Sequence, residues 1–171
     1  MTSASPPRHG SSRLPDLGPR GEGWVVGQIV LIALVVLAGG PGLGRPIPAN
    51  LLAWLEVALG AAALVVAAWA VGRALVDLGR SLTPVPRPRS DGRLVTTGIY
   101  SHVRHPIYAG MILAGIGWSS ITRSLAAFAA VLLLAALLDA KARREEAWLV
   151  ERYPGYEKYR QRSKRFVPRV Y

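Results

Sequence analysis

The residues best suited to chemistry cluster in one short stretch, TTGIYSHVRHPIYAG, which covers residues 96–110. It contains two histidines, one arginine, two tyrosines and a proline, and it runs directly into an apolar segment. Taken singly, the tyrosines could be aromatic residues at a membrane interface, and Arg104 a charge that sets membrane topology. Their concentration in fifteen residues favours a binding site at the edge of a bilayer.

Local patterns around this stretch predict where a helix begins and which charges pair. Proline is favoured at the first position of a helix, so His105-Pro106 can open one. Tyr108 then lies in the first turn, beside the free N–H groups and the positive end of the helix dipole. Charges four residues apart on predicted helices can also pair, as in Arg73 with Asp77 and Asp139 with Arg143.

A second group of polar residues follows about forty residues later, in the sequence KARREEAW. Its acidic pair, Glu145 and Glu146, lies on a segment that favours helix as far as Tyr153, where Pro154-Gly155 breaks it. Adjacent side chains on a helix point in different directions, so we expect at most one carboxylate to be buried in a site. The alternative is a solvated charged face, which spacing alone favours.

The residue types that are missing narrow the chemistry. The chain has no cysteine, which excludes a disulfide, a thiolate nucleophile and a sulfur-ligated metal. We predict no metal site, and no Ser-His-Asp arrangement is evident. Gly42-Leu43-Gly44 has no strand before it, so it is not a dinucleotide-binding fingerprint. The net charge of +11 would suggest nucleic acid in a soluble protein, but its location here leads us to expect none.

Four apolar blocks must position the polar residues. Apolar residues make up 51% of the 171 residues, and they occur in blocks, which is typical of membrane spans. The last two blocks rise at most about 24 Å each, so their helices must extend past the block or thin the bilayer. We predict an all-α polytopic membrane protein with about four transmembrane helices, a C-terminal helical hairpin and a cytoplasmic cofactor-binding tail. The blocks are Trp24–Gly40, Leu51–Val76, Ile107–Thr122 and Leu125–Leu138.

The basic residues predict the orientation of these spans. Of the 21 lysines and arginines, only Arg45 and Arg123 lie in the loops after the first and third blocks. The positive-inside rule places both termini and the middle loop in the cytoplasm, at the plasma (inner) membrane. No A-x-A-like site follows the first block, so we do not interpret it as a signal peptide. The predicted division is a disordered basic tail (1–22), two helices (23–77) and a catalytic region (78–171).

Together the two polar groups resemble the signature of a known family. TGIYSHVRHPIYAG followed by REEAWLVERYPGYEKYRQR is similar to the membrane methyltransferases typified by isoprenylcysteine carboxyl methyltransferase. Phospholipid N-methyltransferases share the P-x-Y-x-G and E-E elements. The resemblance covers residues 94–168 and keeps the order and spacing of the motif. The matching positions are Thr97, Gly98, Tyr100, Arg104, His105, Pro106, Tyr108, Gly110, Glu145, Glu146, Tyr156, Tyr159 and Arg162.

The resemblance implies methyl transfer from S-adenosylmethionine to a lipophilic acceptor in the bilayer, with S-adenosylhomocysteine as product. Such a displacement needs no covalent enzyme intermediate, which agrees with the absence of cysteine. The implied catalytic residues are Arg104 and Arg162, which would hold a carboxylate of the acceptor or the cofactor. The implied acceptor is a carboxylate such as a prenylated cysteine or an isoprenoid acid; a phospholipid amine, a thiol and the oligomeric state stay open. The implied cofactor-binding residues are Gly98, Tyr100, His105, Pro106, Tyr108, Glu145 and Glu146.

Two other functions stay open at this point. Sterol-reductase-like membrane enzymes, which would use NADPH, carry a similar R-H-P-x-Y segment. This chain is much shorter, and it has Glu145-Glu146 where that group tends to show an Asp-Glu pair. A non-enzymatic four-helix scaffold with a basic cytoplasmic face would explain the charge. It would leave the cluster of histidine, proline and tyrosine unexplained.

Overall fold

The computed structural model describes residues 14–83, 85–87 and 92–171. Within these residues the chain is helical, and an isolated bridge between Val103 and Lys164 is its only strand-like pairing. The prediction of an all-α membrane protein is confirmed. The α-helices are α1 (Glu22–Gly39), α2 (Leu51–Leu78), α3 (Pro106–Thr122), α4 (Leu125–Arg152) and α5 (Tyr156–Arg162).

The helices begin and end where the sequence provides the appropriate residues. The side chains of Asn50 and Ser124 each accept a hydrogen bond from the backbone N–H three residues later, at 2.9 and 3.1 Å. Such caps satisfy N–H groups that have no partner inside the helix. Helix α3 begins at Pro106, as predicted. Helix α4 ends at Arg152, because Pro154 cannot continue it.

Three segments are long and apolar enough to cross a membrane, namely Glu22–Gly42, Leu51–Ser81 and Leu125–Arg152. The chain is therefore an integral membrane protein. Helix α3 has 17 residues and rises about 26 Å, slightly less than the roughly 30 Å of a hydrocarbon core. Three of the four predicted spans are thus long enough by this measure, and α3 as a fourth stays a prediction.

Helix α3 lies at the centre of the bundle, packed against α2 and α4, while α1 packs mainly against α4. Helices α2 and α3 meet at Gly60 and Gly117. A Cβ on Gly60 would lie 2.8 Å from the Gly117 carbonyl oxygen, and a Cβ on Gly117 would lie 2.6 Å from that of Gly60. The outward faces of α1 and α2 are apolar and exposed, including Trp54 and Trp69. Such a surface is expected where helices contact lipid.

The segment before α1 contacts the end of the bundle at which α4 ends. Residues 1–13 of the predicted tail lie outside the described residues. Residues 14–21 have defined contacts, since Asp16 forms an ion pair with Arg144 of α4. Gly21, with φ +80°, lies so close to the Trp148 ring that an added Cβ would be 3.2 Å from it.

Candidate active site

A cavity of about 330 Å³ lies where α3 begins and α4 ends, a size suited to a small molecule. Its apolar wall comes from α2 and the segment after it, including Leu75, Leu78 and Leu94. Among the described residues, no three His, Asp or Glu side chains group so as to hold a metal ion. The predicted site residues that line the cavity are Tyr100, Arg104, His105, Pro106, Tyr108 and Glu145.

A short turn, Gly98–Ser101, leads into the polar stretch and is fixed by α2. The carboxylate of Asp77 accepts a hydrogen bond from the backbone N–H of Ile99 at 2.8 Å and pairs with Arg73 at 2.7 Å. Gly98 has φ +60°, and a Cβ on it would lie 2.1 Å from that carboxylate, so only glycine is accommodated. Gly98 lies beside Asp77 and is not among the described residues that line the cavity.

Residues 163–166, after α5, run alongside the polar stretch and hold it through backbone hydrogen bonds. The N–H of Arg104 donates to the Lys164 carbonyl at 2.7 Å, and that of His105 donates to the Arg165 carbonyl at 3.0 Å. The N–H of Lys164 donates in turn to the carbonyl of His102 at 3.2 Å. This pairing brings α5 and the residues that follow it against the start of α3.

Glu146 is 3% exposed and is surrounded by nitrogen donors. Its Oε1 accepts a hydrogen bond from Arg104 Nε at 2.9 Å and lies 3.2 Å from His105 Nε2. Its Oε2 lies 3.2 Å from Arg165 Nη2. A buried carboxylate needs such partners in place of water. Glu146 is not among the described cavity-lining residues, so it positions Arg104 and His105 from behind the cavity wall.

Glu145, its neighbour, is half-buried and lines the cavity. Its Oε2 accepts a hydrogen bond from Tyr108 Oη at 2.8 Å and lies 3.8 Å from His105 Nδ1. The rings of His105 and Tyr108 are stacked, with centroids 5.2 Å apart and planes 7° from parallel. The carboxylate of Glu145 is thus held in a fixed place on the cavity wall, and it can accept further hydrogen bonds from a ligand.

Arg104 uses most of its hydrogen-bonding capacity inside the protein. Besides the bond from Nε to Glu146, Nη1 donates to the backbone carbonyls of Arg160, at 3.1 Å, and Ser163. Within the described part of the chain, Nη2 makes no hydrogen bond, although Arg104 lines the cavity. The guanidinium is therefore rigidly held with one nitrogen available to a ligand, an arrangement suited to a carboxylate.

Tyr156 is the most buried aromatic residue of the cavity wall, with 1% of its surface exposed. Its Oη has no hydrogen-bond partner among the described residues. Burial raises the pKa of Tyr156 well above its usual range, and the nearby Glu146 carboxylate raises it further, so the hydroxyl stays protonated. Buried hydroxyls without a partner are uncommon. Because Tyr156 also lines the cavity, its hydroxyl is a candidate donor to a bound ligand.

Two further tyrosines support the same wall. Tyr159 Oη donates to the backbone carbonyl of Tyr100 at 2.6 Å, which ties α5 to the turn before α3. Burial raises the pKa of Tyr159 to about 12 and that of Tyr100 well above its usual range. Both residues are therefore neutral near pH 7.

Arg162, the second predicted catalytic residue, is the last residue of α5 and is exposed. It is not among the described residues that line the cavity. On α5, Tyr156 and Tyr159 line the cavity, and Arg162 lies about 120° round the helix from Tyr156 and about 60° from Tyr159. The arginine of the C-terminal residues that contacts the carboxylates of α4 is Arg165. It pairs with Glu146 at 3.2 Å and with Asp139 at 2.9 Å. The position of Arg162 gives its predicted role no support.

The cavity also has polar residues that were not predicted as site residues, among them Tyr156, Lys141 and Gln28. Tyr156 carried a signal, because it belongs to the tyrosine-rich motif after α4. No sequence pattern pointed to Lys141 or Gln28, since they lie on apolar helices far apart in sequence. The structure joins them by a hydrogen bond from Lys141 Nζ to Gln28 Oε1 at 2.5 Å.

Comparison with known proteins finds a family profile, phospholipid methyltransferase, that matches residues 55–155. The cobalt-zinc-cadmium resistance protein CzcN of Cupriavidus metallidurans is 37% identical over 83 residues, 48% of this chain and 38% of the relative. The nickel-cobalt-cadmium resistance protein NccN of Alcaligenes xylosoxydans xylosoxydans is 35% identical over 83 residues, 48% of this chain and 39% of the relative. The protein-S-isoprenylcysteine O-methyltransferase of Schizosaccharomyces pombe is 32% identical over 104 residues, 57% of this chain and 43% of the relative.

The match to the family profile runs from α2 through α4 to the break before α5, and it covers more than half of the chain. It includes the turn at Gly98, the polar stretch up to Tyr108 and both glutamates of α4. The alignments span about two fifths of the length of the curated relatives. The resemblance drawn from the two sequence motifs is confirmed, and the chain belongs to the phospholipid methyltransferase family.

Proposed function

We propose that the chain is an integral membrane methyltransferase that moves a methyl group from S-adenosylmethionine to a lipophilic acceptor. One observation carries the proposal: Glu145, Arg104 and Tyr156, whose hydroxyl has no partner among the described residues, line the same cavity. Membership of the phospholipid methyltransferase family supports the reaction type. The relative from Schizosaccharomyces pombe is named as an O-methyltransferase of isoprenylcysteine.

The polar groups of the cavity suit the amino-acid end of this cofactor. Arg104 Nη2 and Tyr156 Oη would donate to its carboxylate, and Glu145 would accept from its ammonium group or its ribose hydroxyls. When bound, S-adenosylmethionine supplies a methyl group on a positively charged sulfur. The cavity-lining rings of Tyr100 and Tyr153 can attract that charge.

The protein's part in such a reaction is orientation and placement of charge. A direct displacement requires the acceptor oxygen, the methyl carbon and the leaving sulfur to lie in line, and fixed side chains lower the entropic cost of that alignment. Glu146 keeps Arg104 and His105 in place, with distances of 2.9 and 3.2 Å. The backbone pairing with Lys164 and Arg165 restrains the same two residues from the other side. The site is therefore preorganised, as electrostatic stabilisation requires.

We place the cavity at the cytoplasmic face of the plasma (inner) membrane, with both termini in the cytoplasm. The support for this orientation is the excess of basic residues in the segments that would face the cytoplasm. The charged cofactor would enter from water, and the acceptor's apolar part would lie against the apolar wall that includes Leu75, Leu78 and Ile107. The proposed acceptor is a carboxylate such as a prenylated cysteine or an isoprenoid acid.

Transfer of a tritiated methyl group from S-adenosylmethionine tests the proposal. The purified chain in phospholipid vesicles would be offered N-acetyl-S-farnesylcysteine, farnesoic acid or phosphatidylethanolamine, with heated protein as the control. Methylation of a carboxylate gives an ester that releases the label as volatile methanol in base, whereas a methylated amine keeps it. We expect base-labile label with the acids. Base-stable label would reassign the acceptor to an amine, and no transfer to any of the three would contradict the proposed reaction.

A further inference from the structure

One buried charged side chain of the cavity is not used by the cofactor site described above. Lys141 lies on α4 one turn before Glu145, is 3% exposed, and lines the cavity. Four residues of helix rise about 6 Å, so Lys141 lies deeper among the membrane-spanning helices than Glu145 does. An ammonium group in such a place is costly unless its charge is matched, and it is by default a candidate for function.

The described partners of Lys141 match it only in part. Its Nζ donates to Gln28 Oε1 at 2.5 Å and lies 5.0 Å from the centroid of the Tyr108 ring. An ammonium group has three N–H donors, and Gln28 is its one hydrogen-bond acceptor among the described residues. Gln28 is held in turn by α3, because its Nε2 lies 3.4 Å from Met111 Sδ.

Lys141 also has no counterion of its own within the described part of the chain. Glu145 lies one turn further along the same face of α4, but that carboxylate already accepts the hydrogen bond from Tyr108 Oη at 2.8 Å. The other buried carboxylate of α4, Glu146, is bound to Arg104, His105 and Arg165. Lys141 is thus a positive charge that is fixed in place, borders the cavity and has donors available.

We propose that Lys141, held by Gln28 and Tyr108, forms a subsite that binds a carboxylate in the cavity. This inference rests on the proposed methyl transfer and adds to it the group that recognises the acceptor. Lys141 lies toward the membrane interior, whereas Arg104 and Tyr156 form the cofactor's end of the cavity. The carboxylate therefore belongs to the lipophilic acceptor. A cationic amine at the same place would be repelled, so Lys141 also selects against amine acceptors.

Calorimetric titration of the full chain in detergent micelles tests this subsite without measuring turnover. The probes are two acid–ester pairs that differ in charge, farnesoic acid and N-acetyl-S-farnesylcysteine, each with its methyl ester. We expect the wild-type protein to bind the acids more tightly than the esters. Lys141→Met removes the charge but keeps the length of the side chain. It should weaken binding of the acids by about tenfold, as expected for the loss of a charge-assisted hydrogen bond. It should leave binding of the esters unchanged, and so should the control variant Lys158→Met, which changes an exposed lysine of α5.

The cofactor's own carboxylate is the other source of the same chemistry, and two further ligands distinguish it. S-adenosylhomocysteine carries that carboxylate and 5′-methylthioadenosine does not. We expect Lys141→Met to bind both as the wild type does. Loss of S-adenosylhomocysteine binding alone, with binding of the acids unchanged, would overturn the assignment to the acceptor and move the carboxylate subsite to the cofactor. Failure of the wild type to bind S-adenosylhomocysteine would count against the proposed function, while a preference for acids that depends on Lys141 would still support the subsite.

Three results would overturn the proposal. The first is a wild-type protein that binds acids and esters equally, and the second is a Lys141→Met variant that keeps the preference for acids. The third is an equal loss of every ligand, which would mean that Lys141 only maintains the fold. Thermal melts check each variant. If Lys141→Met does not fold, Gln28→Leu provides the test. It removes the group that holds Lys141 Nζ, so it should weaken binding of the acids but not of the esters. Unchanged acid binding in that variant would then overturn the proposal.

Discussion

The two adjacent glutamates of α4 have different surroundings and therefore different expected roles. Glu146 is enclosed by Arg104, His105 and Arg165, whereas Glu145 lines the cavity and binds Tyr108. Neighbouring residues on a helix point about 100° apart. Glu146 therefore faces the C-terminal residues 163–166, and Glu145 faces α3. This arrangement predicts that loss of one carboxylate affects stability and loss of the other affects binding.

Glu146→Gln should lower the free energy of unfolding by about 3 kcal/mol, because it leaves buried positive partners without a counterion. Denaturation of the purified chain by titration with sodium dodecyl sulfate measures this change. The control is Glu157→Gln, which removes an exposed pair with Arg160 at 2.8 Å and should cost at most about 1 kcal/mol. Equal stability of the two variants would contradict the structural role of Glu146.

Tyr156→Phe separates ligand binding from stability at a single atom. The hydroxyl has no partner among the described residues, so its removal should leave the melting temperature unchanged or slightly higher. The affinity for S-adenosylhomocysteine should fall by roughly tenfold to a hundredfold, as expected for a hydrogen bond to a charged group. Tyr153→Phe is the control, since Tyr153 Oη donates to the Gly92 carbonyl at 2.9 Å and its loss should affect stability. Unchanged affinity in Tyr156→Phe would remove this residue from the cofactor site.

At the scale of elements, the position of α3 determines the geometry of the cavity. The helix begins at the polar stretch, and its glycines let it approach both neighbours closely. Gly117 contacts the backbone of α2, and Gly115 faces Val131 of α4. Small residues at such contacts are typical of helices packed within membranes. The cavity depends on this packing, because α2 supplies the apolar wall and α4 supplies the acidic one.

Gly117→Ala should destabilise the bundle by about 1–3 kcal/mol, the usual cost of overpacking. Its Cβ would lie 2.6 Å from the carbonyl oxygen of Gly60, so α2 and α3 would have to separate. Gly72→Ala on α2 is the matched control. A Cβ at Gly72 meets nothing within 4 Å among the described residues, and alanine there should stabilise the helix by up to about 1 kcal/mol. The same stability change in both variants would contradict the close contact.

For the whole molecule, the features predicted from sequence were those set by local pattern. Apolar blocks gave the membrane helices, and Pro106 gave the start of α3. Spacing of four residues gave the pairs of Arg73 with Asp77 and of Arg143 with Asp139, each at 2.7 Å. Each of these features depends on residues within about one or two helical turns, where propensity and geometry are sufficient.

The features that were not predicted join residues far apart in the chain. Arg165 contacts Glu146 only because residues 163–166 return to the start of α3. The sequence RQRSKR alone does not distinguish this arginine from its neighbours. Lys141 and Gln28 meet only because α1 packs against α4. The positive partners that allow Glu146 to be buried come together only in the folded chain, so its burial could not be predicted from sequence.

The orientation in the membrane is a prediction for the molecule as a whole. Reporter fusions after residues 45 and 123 should give extracytoplasmic signals, and fusions near residues 90 and 171 should give cytoplasmic ones, because basic residues are retained on the cytoplasmic side. Paired reporters that are active on opposite sides, such as alkaline phosphatase and a fluorescent protein, provide the check. A cytoplasmic signal after residue 123 would contradict the hairpin of α3 and α4.

Titration of the purified chain with S-adenosylhomocysteine tests the cofactor site most directly. We expect the wild type to bind this ligand and not to bind NADPH. Glu145→Gln keeps the size of the side chain and should lower the affinity by roughly tenfold to a hundredfold, the range for a charge-assisted hydrogen bond. Glu151→Gln, at an exposed position of the same helix, should leave the affinity unchanged. Binding of NADPH in preference to S-adenosylhomocysteine, or wild-type affinity in Glu145→Gln, would contradict a cofactor site that includes Glu145.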